Sequence, residues 1–179
     1  MQFAKDSFYV ALSERLGRVN PLRTICINEI TRPAIIVIEN ELMTAAPPPE
    51  CAFMITWNTA QACKDFVTAP TSLIGLDCSI SYGTSGSSED AVDRGRTITT
   101  LDSELFQICA PPFTEKCNYA QTDRVSLGSN IFWTTPKIES CKTGSGGKGG
   151  DAPVKGRSPA FHVASLTVFF YPEVVPDEQ

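Results

Sequence analysis

The sequence is poor in the side chains that bind metals. It has a single histidine, His162, and its seven cysteines include no C-x-x-C pair. A zinc site needs four closely spaced sulfur or nitrogen ligands, and this spacing does not supply them. The odd, scattered cysteines also argue against a disulfide framework, so we expect thiols that are free or buried. Cys26 and Cys78 lie within apolar runs, which predicts that both are buried.

Long hydrophobic runs and basic clusters are missing as well. No stretch approaches the roughly 20 apolar residues that cross a bilayer, and residues 1–6 are too polar for a signal peptide. Lys and Arg total 15 against 20 Asp and Glu, a formal net charge of -5, with no basic stripe to follow a phosphate backbone. We therefore expect a cytoplasmic product with neither a membrane span nor direct nucleic-acid recognition.

Motifs of catalysis are also absent from the sequence. A serine-hydrolase elbow needs G-x-S-x-G, and residues 83–86 place the second glycine one position early. Lys148 is followed by glycine, whereas a phosphate-binding loop requires serine or threonine there. We predict that the chain is not an enzyme and holds no cofactor or metal. The alternative from another class is a small cytoplasmic hydrolase with Ser85 as nucleophile and His162 as base.

The periodicity of the apolar residues predicts an α+β fold. Spacings near 3.6 predict helices over residues 6–18 and about 90–108, the second ending before Pro111, and strict alternation predicts a strand over 74–82. Further strand candidates are residues 24–27, 34–39, 51–57, 125–137 and 161–171, of which the first two are expected to be neighbours. We predict one domain over residues 1–179, with two main helices packed on a mixed or antiparallel sheet.

Some local features make sharper predictions. Residues 34–38 are apolar on both faces, which predicts a central strand covered on each side or buried in a subunit contact. Gly95 lies on the apolar stripe of the second helix, which predicts close packing of that helix on the sheet. Long extensions at about 45–70 and 141–158 are expected to carry contacts, the second as a mobile hairpin tip.

The order of these elements resembles the tail terminator proteins of long-tailed bacteriophages, the lambda-type family. The resemblance begins with the N-terminal helix and two short strands separated by a turn. It continues with a strong strand that leads through a polar turn into an amphipathic helix, and it ends with the closing strand. The corresponding segments are residues 3–18, 23–28, 33–39, 76–82, 92–96, 101–105 and 164–171.

The resemblance implies a structural virion protein. Members of that family form a ring, usually six-fold, that caps the tail tube, ends its polymerisation and provides the head-joining surface. The implied partners are other copies of the chain, the tail tube protein and a head-completion or connector protein. The implied location is the head–tail junction of a virion assembled in the host cytoplasm. A head-to-tail connector or a tail-completion protein is the alternative within this class.

Candidate contact residues follow from the doubly apolar strand and the two extensions. The basic residues of the second extension, on an acidic chain, are typical of a clamp on a neighbour, and equally of a solvated tip without a role. The candidates for subunit or partner contacts are Ile35, Ile36, Val37, Trp57, Phe66, Lys142, Lys148 and Lys155.

Overall fold

A computed structural model describes residues 1–41, 49–63, 72–85, 91–120, 123–141 and 160–172. The helices in these ranges are α1 (Gln2–Val19), α2 (Ile38–Glu41) and α3 (Ala91–Ile108). The strands are β1 (Thr24–Ile27), β2 (Ile30–Pro33), β3 (Ile35–Val37), β4 (Phe53–Ala62), β5 (Ile74–Thr84), β6 (Phe113–Asn118), β7 (Val125–Trp133), β8 (Lys137–Cys141) and β9 (Ala160–Phe170). The predicted α+β class with two main helices is confirmed. None of the described helices is long and apolar enough to cross a membrane.

The strands form a small and a large sheet. β1 and β2 pair antiparallel with each other, while the large sheet has the order β3-β4-β5-β9-β7-β6. β8 pairs with β9 on the side that also carries β7. β3 and β4 are parallel and the other pairs are antiparallel, so the sheet is mixed. The β5–β9 pairing is the longest and runs from Ile74 opposite Phe170 to Thr84 opposite Ala160.

The main core lies between one face of the large sheet and the two long helices. Phe8 of α1 contacts two indole rings edge-on, with centroid distances of 5.5 Å to Trp57 and 5.1 Å to Trp133. Leu101 and Leu105 place α3 in the same core. The alternating residues of β5 are buried on this face as their period predicts, namely Leu76, Cys78, Ile80 and Tyr82.

A tight turn determines the pairing of β1. Asn28 and Glu29 have φ values of 50° and 66°, the left-handed region that a two-residue type I′ hairpin turn requires at both central positions. Ile27 therefore pairs with Ile30, and β1 pairs with β2 rather than with residues 34–39. The prediction that 24–27 and 34–39 are neighbouring strands is wrong, because this turn closes before residue 34.

β3 is covered on both faces, as predicted, but it lies at the edge of the sheet and not at its centre. Ile35 and Val37 belong to the main core under α1. Ile36 belongs to a second core cluster, which the β1–β2 hairpin covers with Ile25 and Ile27. A peripheral hairpin thus supplies the second layer that a central position was expected to provide.

Three further predictions need correction. The predicted strand 125–137 is divided, since β7 ends at Trp133 and β8 begins at Lys137. β6 was not predicted, and β4 continues to Ala62, where a loop was expected. Gly95 is exposed, with no atom within 4 Å of the position a Cβ would take, so it does not mark close packing on the sheet.

Candidate functional site

Four of the predicted contact residues are part of this chain's own core. Ile35, Ile36 and Val37 are at most 5% exposed, and Trp57 is 7% exposed. The Trp57 ring carries Lys5 Nζ at 5.5 Å from its centroid, and its Nε1 has no hydrogen-bond partner within the described residues. A neighbouring strand would meet the backbone edge of β3 rather than these side chains.

The other four predicted contact residues are Phe66, Lys142, Lys148 and Lys155, and they lie outside the described residues. The same holds for residues 45–48 and 64–70 of the first extension and for nearly all of the second. The strands on either side of residues 142–159 are β8 and β9, which pair antiparallel with Cys141 opposite Phe161. The second extension therefore connects two paired strand ends, while the proposed clamp stays a prediction.

The single histidine joins a polar cluster between α3 and the sheet. His162 Nδ1 lies 2.8 Å from Asp102 Oδ1, and the Tyr82 hydroxyl donates to the same oxygen at 2.7 Å. The β5–β9 register places Tyr82 opposite His162, and α3 brings Asp102 above them. Burial, followed by the hydrogen bond to Asp102, raises the pKa of Tyr82. Tyr82 therefore stays a neutral donor that ties α3 to the sheet.

Ser85 does not join this cluster. It lies just past the end of β5, three residues and about 10 Å along an extended chain from Tyr82, the cross-strand partner of His162. Its backbone N–H donates to Glu50 Oε1 at 3.0 Å. The alternative hydrolase requires Ser85 within hydrogen-bond reach of His162, and this geometry argues against that pairing.

All seven cysteines are free. Cys78 is buried as predicted, but Cys26 is exposed, because it belongs to the two-stranded sheet outside the main core. Burial raises the pKa of Cys109 to about 12. Within the described ranges, no three His, Cys, Asp or Glu side chains form a group that could hold a metal ion.

One exposed apolar surface lies on the β1–β2 hairpin. Ile27, Asn28, Ile30 and Arg32 line a shallow cavity of about 280 Å³, which we call the hairpin surface. Ile30 is 65% exposed there. Ile25 and Ile27 of the hairpin pack on the second core cluster, which includes residues of β3 and β4, so this surface lies beside the β3 end of the large sheet.

A second exposed surface lies at the other end of the strand order. Phe113 of β6 and Phe132 of β7 are cross-strand partners that are 52% and 40% exposed. Phe169 of β9 stacks on Phe132 with a centroid distance of 5.3 Å. We call these three rings the aromatic surface. Alternation between the inward Ile131 and Trp133 is the sequence signal that could have placed Phe132 outside.

A polar groove of about 380 Å³ lies on the open face of the central strands. Asn58 Nδ2 donates to Ser79 Oγ at 2.8 Å, and Thr167 Oγ1 donates to Asp77 Oδ1 at 2.8 Å. These side chains largely satisfy one another. The groove is therefore a polar surface, in contrast to the hairpin surface and the aromatic surface.

No protein-family model matches this chain, and no curated protein matches it. A functional assignment therefore depends on the geometry of the chain itself, together with the resemblance in the order of its elements.

Proposed function

We propose that this chain is a structural protein of a long-tailed bacteriophage, a tail terminator that forms a homo-oligomeric ring on the end of the tail tube. The ring ends tube polymerisation and offers the surface that joins the head. Support comes from the resemblance in element order and from the pair of exposed apolar surfaces. The observation that carries the proposal is that these two surfaces differ, one on the β1–β2 hairpin and the other beside β6, the last strand in the order of the large sheet.

Two different surfaces favour head-to-tail association. If the hairpin surface of one copy contacts the aromatic surface of the next, each of the two copies keeps its other surface for a further neighbour. Such heterologous contacts close into a ring when the rotation per subunit allows it.

The strength of this contact indicates where the ring forms. Covering the exposed parts of Ile30, Phe113 and Phe132 contributes on the order of 4 kcal/mol. Association costs at least about 4 kcal/mol in lost translational and rotational freedom. The contact is therefore marginal in dilute solution, and we expect the tube end to promote ring closure by adding a second buried surface.

The experiment compares variants of the two surfaces by light scattering, at high concentration and with tube protein. Ile30→Asp and Phe113→Ser each place a polar group on one surface and are expected to reduce association. Phe106→Ser is the matched control, since Phe106 is a 46% exposed residue on α3. Unchanged association of both surface variants, or equal loss in the control, would contradict the proposal.

A further inference from the structure

A cavity of about 190 Å³ lies where α1 passes β6, with Tyr119 and Arg124 also in its lining. Its lining includes Arg15, Arg18 and Arg124, with Glu14, Thr114 and Tyr119. We call it the arginine cavity. Three guanidinium groups and one carboxylate meet here in a chain whose formal net charge is -5. The cavity is thus a local positive site on an acidic protein.

The nearby carboxylate pairs only loosely with these arginines. Glu14 lies 4.0 Å from an Arg18 nitrogen and 3.9 Å from an Arg124 nitrogen, beyond hydrogen-bond distance. Arg124 Nε donates to Cys117 Sγ at 3.2 Å, a contact that raises the pKa of Arg124. Within the described residues, the terminal nitrogens of Arg18 and Arg124 therefore remain available to another acceptor.

Arg15 has a different role in the same cavity. Its guanidinium donates to the backbone carbonyls of Ile108, Pro111 and Phe113 at 3.0, 2.7 and 2.8 Å. Burial lowers the pKa of Arg15. Arg15 thus adds positive charge to the cavity wall, while Arg18 and Arg124 supply the donors.

We propose that the arginine cavity binds the acidic C-terminal segment of the same chain, residues 173–179. This segment carries Glu173, Asp177 and Glu178 and has no basic residue. Carboxylates are good acceptors for arginine, whose planar donors match their geometry. Charge complementarity therefore favours this segment as the occupant.

The chain enters this segment close to the cavity. Lys116 Nζ of β6 donates to the Tyr171 carbonyl at 2.8 Å. Thr114 of the same strand lines the cavity. The last described residues therefore lie within reach of a lysine side chain from the strand that forms the cavity wall. Seven further residues can span about 23 Å when extended, whereas Thr114 of the cavity wall lies only two residues, about 7 Å, from Lys116 along β6.

The interaction depends on the tether. Exposed ion pairs are individually weak, so the same peptide added in solution should bind poorly. A short linker raises the effective concentration to about the millimolar range, which favours intramolecular binding. The Debye length of salt solutions falls from about 10 Å at 0.1 M to about 3 Å at 1 M, so added salt weakens exposed ion pairs and should release the segment.

The test is an NMR comparison of the full-length wild type with the variant E173Q/D177N/E178Q, at low and high salt. Neutralising the segment should shift the amide signals of Thr114 and Tyr119 and the Nε–Hε signal of Arg124. High salt should move the wild-type signals toward those of the variant. Arg18→Gln, at a side chain that is 79% exposed, should move the Val174 and Val175 amides toward unbound positions.

Lys137→Gln is the matched control, because Lys137 is exposed on β8 and lines the polar groove instead. The proposal is overturned if neutralising the segment leaves the cavity signals unchanged, or if Lys137→Gln has the effect of Arg18→Gln. Shifts that depend on protein concentration would assign the bound segment to another copy and also overturn it. The readout needs no ring, so it is independent of the proposed function.

Discussion

Gly83→Ala tests the β5–β9 register that places Tyr82 beside His162. A Cβ at position 83 would overlap Cδ1 of Phe161 and lie 2.7 Å from the Ala160 carbonyl oxygen. The ring can shift, but the backbone oxygen is held by the strand pairing. Overpacking of this kind typically costs about 1–3 kcal/mol, and the backbone contact favours the upper half of that range. A domain of this size should then lose about 6 °C in Tm.

The assay is urea unfolding of the wild type and two glycine variants, followed by tryptophan fluorescence. Gly95→Ala is the matched control, because a Cβ there meets nothing within 4 Å and alanine favours the helix. It should raise the free energy of unfolding by about 0.5–1 kcal/mol. A Gly83→Ala protein as stable as the wild type would refute the close approach of Phe161 and the register on which it depends.

Three further predictions concern the buried polar groups and the thiols. Asp102→Ala removes the acceptor of the Tyr82 hydroxyl and should cost about 1–3 kcal/mol in urea unfolding, whereas Asp102→Asn keeps an acceptor oxygen and should cost less. The Cys109 pKa is about 12 in the folded chain against 9.0 ordinarily, so the unfolded chain loses this proton first. Between pH 9.0 and about pH 12, the free energy of unfolding should therefore fall as the pH rises, by up to about 1.4 kcal/mol per pH unit from this thiol. Cys109→Ala should reduce this decline. With Ellman's reagent the exposed thiols of Cys26 and Cys141 should react before the buried ones, and equal rates would contradict their placement.

The elements that the sequence predicted correctly are those in which a regular apolar repeat continues over many residues. α1, α3 and β5 each repeat their apolar spacing over several turns or over nine or more residues, and β9 alternates through the closing segment. A repeat that continues over many residues identifies both the type of element and the face that the element buries. For this reason the helices-on-sheet architecture could be predicted without knowledge of the strand order.

The missed features depend on contacts between distant residues or on a single turn. β6 has six residues, and its pairing with β7 decides its structure more than its own pattern does. Asp102 meets His162 across 60 positions of sequence, which no local spacing reveals. The type I′ turn at Asn28 and Glu29 lacks the usual glycine, so the sequence predicts a longer turn there instead of a hairpin with an exposed Ile30.

Negative-stain microscopy of tail tubes tests the proposed function most directly. Tubes would be assembled from the proposed partner, a phage tail tube protein, with and without this chain. The account predicts a ring on one end of each tube, shorter tubes as the chain is added earlier, and bare ends with the Ile30→Asp variant. The account would be contradicted if the tubes keep their length and have bare ends, and if the chain also stays monomeric in light scattering with and without tubes.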